Sequence, residues 1–136
     1  MRTRRALFAA AALLAGGLVM AGCDRSQAAA EGAKSLGKAE AQVTVVEYAS
    51  PTCGHCATWN QTVFPAFKSK YIDTGQVRYE MREFLTPPNE VAAAAWLVAR
   101  CAGDDKYFGV VDGVFRAQPE MFRTGDWRGT LLRVAQ

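Results

Sequence analysis

Apolar positions recur along this chain with several spacings, and each spacing predicts a different kind of segment. Residues 6–22 are apolar throughout, rich in Ala and Gly, and carry no charge. Residues 27–40 hold Ala, Gly, Lys and Ser with few large apolar side chains, which reads as a linker. In residues 43–48, Val43, Val45 and Glu47 point one way and Thr44, Val46 and Tyr48 the other. Both faces are largely apolar, so a central strand covered on each side is expected. Residues 76–84 alternate, with Val77, Tyr79 and Met81 on one face, and predict a second strand. Between the two, a helix is expected to open at Cys53 and to kink at Pro65, because proline lacks an N–H and clashes with the preceding turn. Phe67, Tyr71 and Ile72 give it an inward face, and Gly75 suits its C-terminal cap. Trp59, Phe64 and Phe67 read as core. Strand, helix and strand of these lengths predict a parallel pair joined by a right-handed crossover.

Beyond residue 86 the pattern is helical. Pro87-Pro88 breaks the chain, and Asn89 can cap a new helix that runs to Cys101 and buries Trp96 and Leu97. Gly103 stops it. Asp104 can cap the next, which buries Tyr107, Phe108, Val111, Val114 and Phe115 and is expected to end at Gln118-Pro119. Met121 and Phe122 read as core of this helical region. A third helix is expected to start near Asp126.

Charge changes the reading of the first residues. Arg2, Arg4 and Arg5 precede the apolar run, and a basic segment before a short apolar one reads as a secretory signal peptide, residues 1–22. At seventeen residues the run is short for a membrane span, which needs about twenty. Met20-Ala21-Gly22-Cys23 resembles a bacterial lipobox, in which Cys23 would carry a lipid anchor. Cleavage at Ala28-Ala29-Ala30 is the alternative. Either way the rest of the chain is expected in an exported setting where disulfides persist. The whole chain has 16 basic and 13 acidic residues. Without the three early arginines the counts are 13 and 13, so the basicity is a targeting feature and gives no reason to expect nucleic acid as a partner.

The candidate chemistry sits in Cys53-Gly54-His55-Cys56. The first N–H groups of a helix lack internal partners and the helix dipole is positive there. A thiolate at Cys53 would accept those bonds, so its pKa is expected to fall below the free value. Cys56 lies one helical turn on and can close a disulfide with Cys53 or release a mixed disulfide from it. A protonated His55 would stabilise the neighbouring thiolate further. Two cysteines can be half of a zinc site, but the chain offers one histidine and only Cys23 and Cys101 besides, against a usual requirement of four ligands. No metal and no organic cofactor is therefore expected. A purely structural disulfide is the remaining alternative for the pair.

The longer stretch Glu47-Tyr48-Ala49-Ser50-Pro51-Thr52-Cys53-Gly54-His55-Cys56, followed by Val63-Phe64-Pro65-Ala66-Phe67 and Val77-Arg78-Tyr79-Glu80-Met81-Arg82-Glu83-Phe84, resembles the DsbA-type branch of thioredoxin-fold proteins. The resemblance covers residues 41–136. It implies an α/β thioredoxin-like fold in which residues 41–86 form the βαβ redox half and residues 87–136 a helical insert. It also implies that the family's C-terminal ββα half, with its cis-proline loop, is missing, so that the sheet would be incomplete and the chain weakly stable. Residues 23–40 would then link an anchor to this domain. Glu47, six positions before Cys53, matches a buried acid of the family, expected to guide proton transfer to Cys56; a strand-end carboxylate in solvent is the alternative.

The implied activity is exchange of thiols and disulfides through Cys53 and Cys56, with cysteine-containing exported proteins as substrates. A membrane or periplasmic redox partner would reset the pair. The expected location is the periplasm, tethered to the inner membrane through Cys23. A second reading is non-enzymatic: an envelope lipoprotein, or a metal-binding or degenerate thioredoxin-like module. Cys101 is left over, either paired with a cysteine elsewhere or buried as a small hydrophobe.

Overall fold

The computed structural model describes residues 32–136. The signal-peptide, lipobox and Cys23 assignments lie outside them. The chain runs β1 (Lys34–Leu36), β2 (Val43–Ala49), α1 (Gly54–Thr62), α2 (Phe64–Phe67), a π-helical turn (Lys68–Ile72), β3 (Val77–Glu83), α3 (Asn89–Cys101), α4 (Tyr107–Thr124) and α5 (Trp127–Val134). β2 and β3 are parallel with Val45 opposite Tyr79 and Glu47 opposite Met81, as the strand–helix–strand pattern predicts. β1 joins the far side of β3 antiparallel, giving the order β1-β3-β2. Residues 34–36 fall inside the stretch read as linker, yet they belong to the sheet. Their approach to β3 uses Gly37 at φ +90, where a Cβ would stand 2.6 Å from the Val77 carbonyl oxygen.

Among the described residues β3 is the middle strand and β2 lies at the edge of the sheet, so there the expectation that both its faces are covered is not met. Val77, Tyr79 and Met81 meet Ala57, Ile72, Trp96, Tyr107, Val111 and Phe115 in the main core. On the other face Val46 is 38% and Tyr48 62% exposed. The centre of that face is polar: Glu80 is buried between Arg78, at 3.4 Å, and Arg82, at 3.3 Å. Arg82 also donates to the Tyr48 hydroxyl at 3.0 Å.

The helix after Cys53 does break near Pro65. α1 ends at Thr62, and α2 restarts with Pro65 in its first turn, where the missing N–H costs nothing. Gly75 closes the segment at φ +78, its N–H bonded to the Ile72 carbonyl. In α3 the N-cap is Pro88, and Asn89 makes no side-chain cap bond. Trp96 is buried and donates to the Phe84 carbonyl, but Leu97 is 61% exposed, one residue round the helix from the buried stripe. Asp104 does not cap α4; its carboxylate pairs with Lys34 of β1. Met121 is buried in the second core with Val91, Ala95, Val114 and Leu131, whereas Phe122 is 47% exposed. The third helix of this region, α5, starts near Asp126 as predicted, and Asp126 caps it through the Gly129 amide.

α4 does not stop at Pro119 but continues to Thr124. A proline inside a helix leaves the carbonyl four residues earlier without its donor. Here that carbonyl belongs to Phe115, and Gln61 of α1 donates its side-chain amide to it at 3.1 Å. A neighbouring helix thus supplies the bond that proline cannot. Gln61→Ala is expected to destabilise the wild type by about 1 kcal/mol in urea unfolding. It should cost measurably less in a Pro119→Ala background, where the helix can satisfy Phe115 itself.

Candidate active site

The turn between β2 and α1 is held before any cysteine is reached. The buried Ser50 hydroxyl accepts the Thr86 amide at 3.1 Å and lies 2.9 Å from the Thr86 hydroxyl. Thr52 donates to the Thr86 carbonyl at 2.6 Å. These bonds tie the segment before Cys53 to the segment leaving β3. From the other side Gln118 of α4, itself buried, donates its amide to the Pro51 carbonyl at 2.7 Å and to the Cys53 carbonyl at 3.2 Å. Sequence reasoning missed all four. Gln118 was legible in principle, since it continues the buried stripe Val111, Val114, Phe115 at helical spacing. Thr86 carries no local signal.

Cys53 is the N-cap of α1 in extended geometry, and its sulfur accepts the Cys56 amide at 3.2 Å. Its position is the one expected: a sulfur at the positive end of a helix, holding an amide that has no helical partner. Ala57 donates to the Cys53 carbonyl at 3.1 Å and starts the helical ladder. Cys56 follows on the inner side, packed against the core that contains Tyr79. Burial pushes the Cys56 thiol up to about 11, helped by its hydrogen bond with Cys53 and the nearby charges of Cys53 and Glu47. The Ser50 amide acts the other way. Both cysteines are partly exposed free thiols, so the structure represents the dithiol. His55 and Gly54 lie on the exposed rim of the same turn.

Glu47 is not a strand-end carboxylate in open solvent. Its side chain lies on the core face of β2 and accepts a hydrogen bond from the Tyr79 hydroxyl. Burial raises its proton affinity above the ordinary value of 4.5, and the Tyr79 bond offsets part of that. Arg82 bonds Tyr48 and Glu80 on the opposite face of the sheet, as a structural charge. Cys101 is an exposed free thiol at the end of α3, which rules out the buried-hydrophobe reading.

The fold and this turn define a class: a thioredoxin-like α/β domain that presents a C-x-x-C dithiol at the start of its first helix. Comparison with known proteins agrees. Residues 29–135 match the family described as Thioredoxin. A Rickettsia typhi protein named "Putative protein-disulfide oxidoreductase" is 51% identical over 73 residues, 54% of this chain and 26% of that one. Disulfide bond formation protein D of Bacillus subtilis is 29% identical over 96 residues, 69% of this chain and 43% of that protein. The crystal structure of Wolbachia pipientis alpha-DsbA1 superposes with a TM-score of 0.68 at 33% identity, covering 76% of this chain and 52% of that one. The chain therefore spans less than half the length of these two curated relatives. It belongs to the thioredoxin family, in the DsbA-like branch.

The sign of the Glu47 shift has a consequence for stability. A carboxyl that binds its proton more tightly when folded favours folding at low pH, and that contribution is lost as pH rises through the folded value. Glu47→Gln is therefore expected to be more stable than the wild type at pH 7 in thermal or urea unfolding. The difference should shrink as pH falls from the folded value toward 4.5, and change no further below it.

Proposed function

We propose that this chain is an exported thiol–disulfide oxidoreductase that forms disulfides in other exported proteins through Cys53 and Cys56. One observation carries the reading: Cys53 caps α1 with its sulfur on the Cys56 amide, and Cys56 stands one turn behind it. In the oxidised chain the two sulfurs are bonded. A substrate thiolate attacks the Cys53 sulfur; a substrate–Cys53 bond forms, the Cys53–Cys56 bond breaks, and Cys56 leaves with the electron pair and takes up a proton. A second substrate thiolate then attacks the substrate sulfur of the mixed disulfide, and Cys53 leaves as a thiolate. Two electrons pass from the substrate dithiol to Cys53 and Cys56, and a membrane or periplasmic redox partner removes them.

The two sulfurs differ in the way this scheme needs. A sulfur held by an amide at a helix start is a good leaving group, which drives electrons from substrate to protein. Cys56, half-buried and with its thiol pushed up to about 11, keeps its proton near neutral pH. It stays quiet while substrate is bound and attacks only when a base takes that proton. Glu47 is assigned that base role, and His55 the stabilisation of the Cys53 sulfur from the rim. Residues 1–22 would deliver the domain to the periplasm. Lipidation of Cys23 would tether it to the inner membrane.

The test is trapping, in a chain whose Cys23 and Cys101 are serine. Incubated with oxidised glutathione and read by intact mass, or mixed with a protein activated as its thionitrobenzoate disulfide and read on a non-reducing gel, Cys56→Ala is expected to accumulate the mixed disulfide. Cys53→Ala should accumulate at least tenfold less. Equal trapping by both variants, or by neither, would mean that Cys53 is not the sulfur that meets substrate. A glutathione titration of the wild type should place the pair near or above about −200 mV; a value near −270 mV would mark a reductase instead.

A further inference from the structure

The exchange scheme uses Glu47 but leaves its partner without a role. Tyr79 lies at the middle of β3 and is fully buried. Its ring is packed by Trp59 at 6.4 Å, stacked, by Phe64 at 5.1 Å and by Phe108 at 6.1 Å. Nothing in that cage binds the hydroxyl, and a buried hydroxyl without a partner is costly. It is satisfied by Glu47 Oε2. The register explains the contact: Tyr79 is opposite Val45, so Glu47, two residues on along the same face, is its diagonal neighbour. Carboxylate and phenol are thus held together beside the aromatic cage, and the charge of Glu47 reaches Cys56 from there.

We infer that Tyr79 is a positioning residue for exchange: its ring fixed by the aromatic cage, its hydroxyl holds the Glu47 carboxylate where that carboxylate takes the proton leaving Cys56. The step balances simply. As the Cys56 sulfur attacks a Cys53 mixed disulfide, its proton passes to the Glu47 carboxylate, the Cys53–Cys56 bond forms, and the other thiol leaves as a thiolate. Tyr79 loses nothing; it donates one hydrogen bond throughout. That bond favours the ionised carboxylate, so it opposes the effect of burial and keeps Glu47 available as a base at lower pH than burial alone would allow. The titratable groups around the pair are Cys56 from α1 and Tyr107 from α4. Tyr107 donates a hydrogen bond to Glu83 at 2.9 Å and stays neutral with its pKa raised by burial and that bond. The Tyr79 phenol is itself raised, by burial and then by Glu47, and keeps its proton across the working range.

The inference rests on the exchange reading, and the experiment separates the two. In the full chain with Cys23 and Cys101 as serine, the Glu47 carboxyl is titrated by carbon-13 NMR, and release of glutathione from Cys53 by Cys56 is timed across the same pH range. Tyr79→Phe keeps the ring and the packing and removes only the donor. It is expected to move the Glu47 midpoint up by about one pH unit and to slow release about tenfold below that midpoint. Above it the wild-type rate should return. In a Glu47→Gln background Tyr79→Phe should have no further effect on release. An unmoved midpoint, or slowing by the same factor at every pH, would overturn the assignment and leave Tyr79 a core residue. A wild type that releases no glutathione would sink the exchange reading beneath it.

Discussion

Everything in this fold converges on the first amide groups of α1. A helix must leave its first N–H groups without internal partners, and here a sulfur takes one of them. The arrangement is useful only if the turn cannot relax into another cap. That is why the polar bonds around it come from three separate elements. Ser50 and Thr52 hold the Thr86 segment, and Gln118 grips two carbonyls from α4. Each is a buried or partly buried bond whose loss would strand a donor or acceptor, at a cost of about 1–3 kcal/mol. The rigidity of the helical region is thereby passed to the sulfur.

The second sulfur is governed by the opposite physics. Cys53 meets the Cys56 amide at the helix start, while Cys56 meets apolar wall and the field of a half-buried carboxylate. Burial and that field hold the Cys56 thiol above its ordinary value. The acid that supplies the field burdens the fold at neutral pH, since its folded form would rather be protonated. An unfavourable group of this kind near a C-x-x-C pair marks the turn as a candidate functional site.

Much of this was legible locally. The alternation of Val77, Tyr79 and Met81, the two cysteines after a β-branched run, and the helix start near Asp126 each follow from neighbours in sequence. Contacts between distant segments escaped. β1 is three residues long, too short for alternation to announce it, and its pairing with β3 is a long-range event. Pro119 reads as a stop unless one knows that Gln61 stands ready to bond Phe115. β2 reads as central because Val46 and Tyr48 are apolar, but in the described residues that face is open. The partner of Glu47 was hidden for the same reason: Tyr79 reads as a core aromatic, and only the register shows its hydroxyl meeting a carboxylate.

The central claim is that the helix start separates the two sulfurs chemically. Limiting alkylation of the reduced chain with iodoacetamide, read by peptide mass spectrometry from pH 6 to pH 11, measures that separation directly. Cys53 is expected to be labelled first, by more than tenfold near pH 7, with Cys56 following only as the pH approaches 11. Equal labelling of the two at neutral pH, or labelling of Cys56 first, would contradict it.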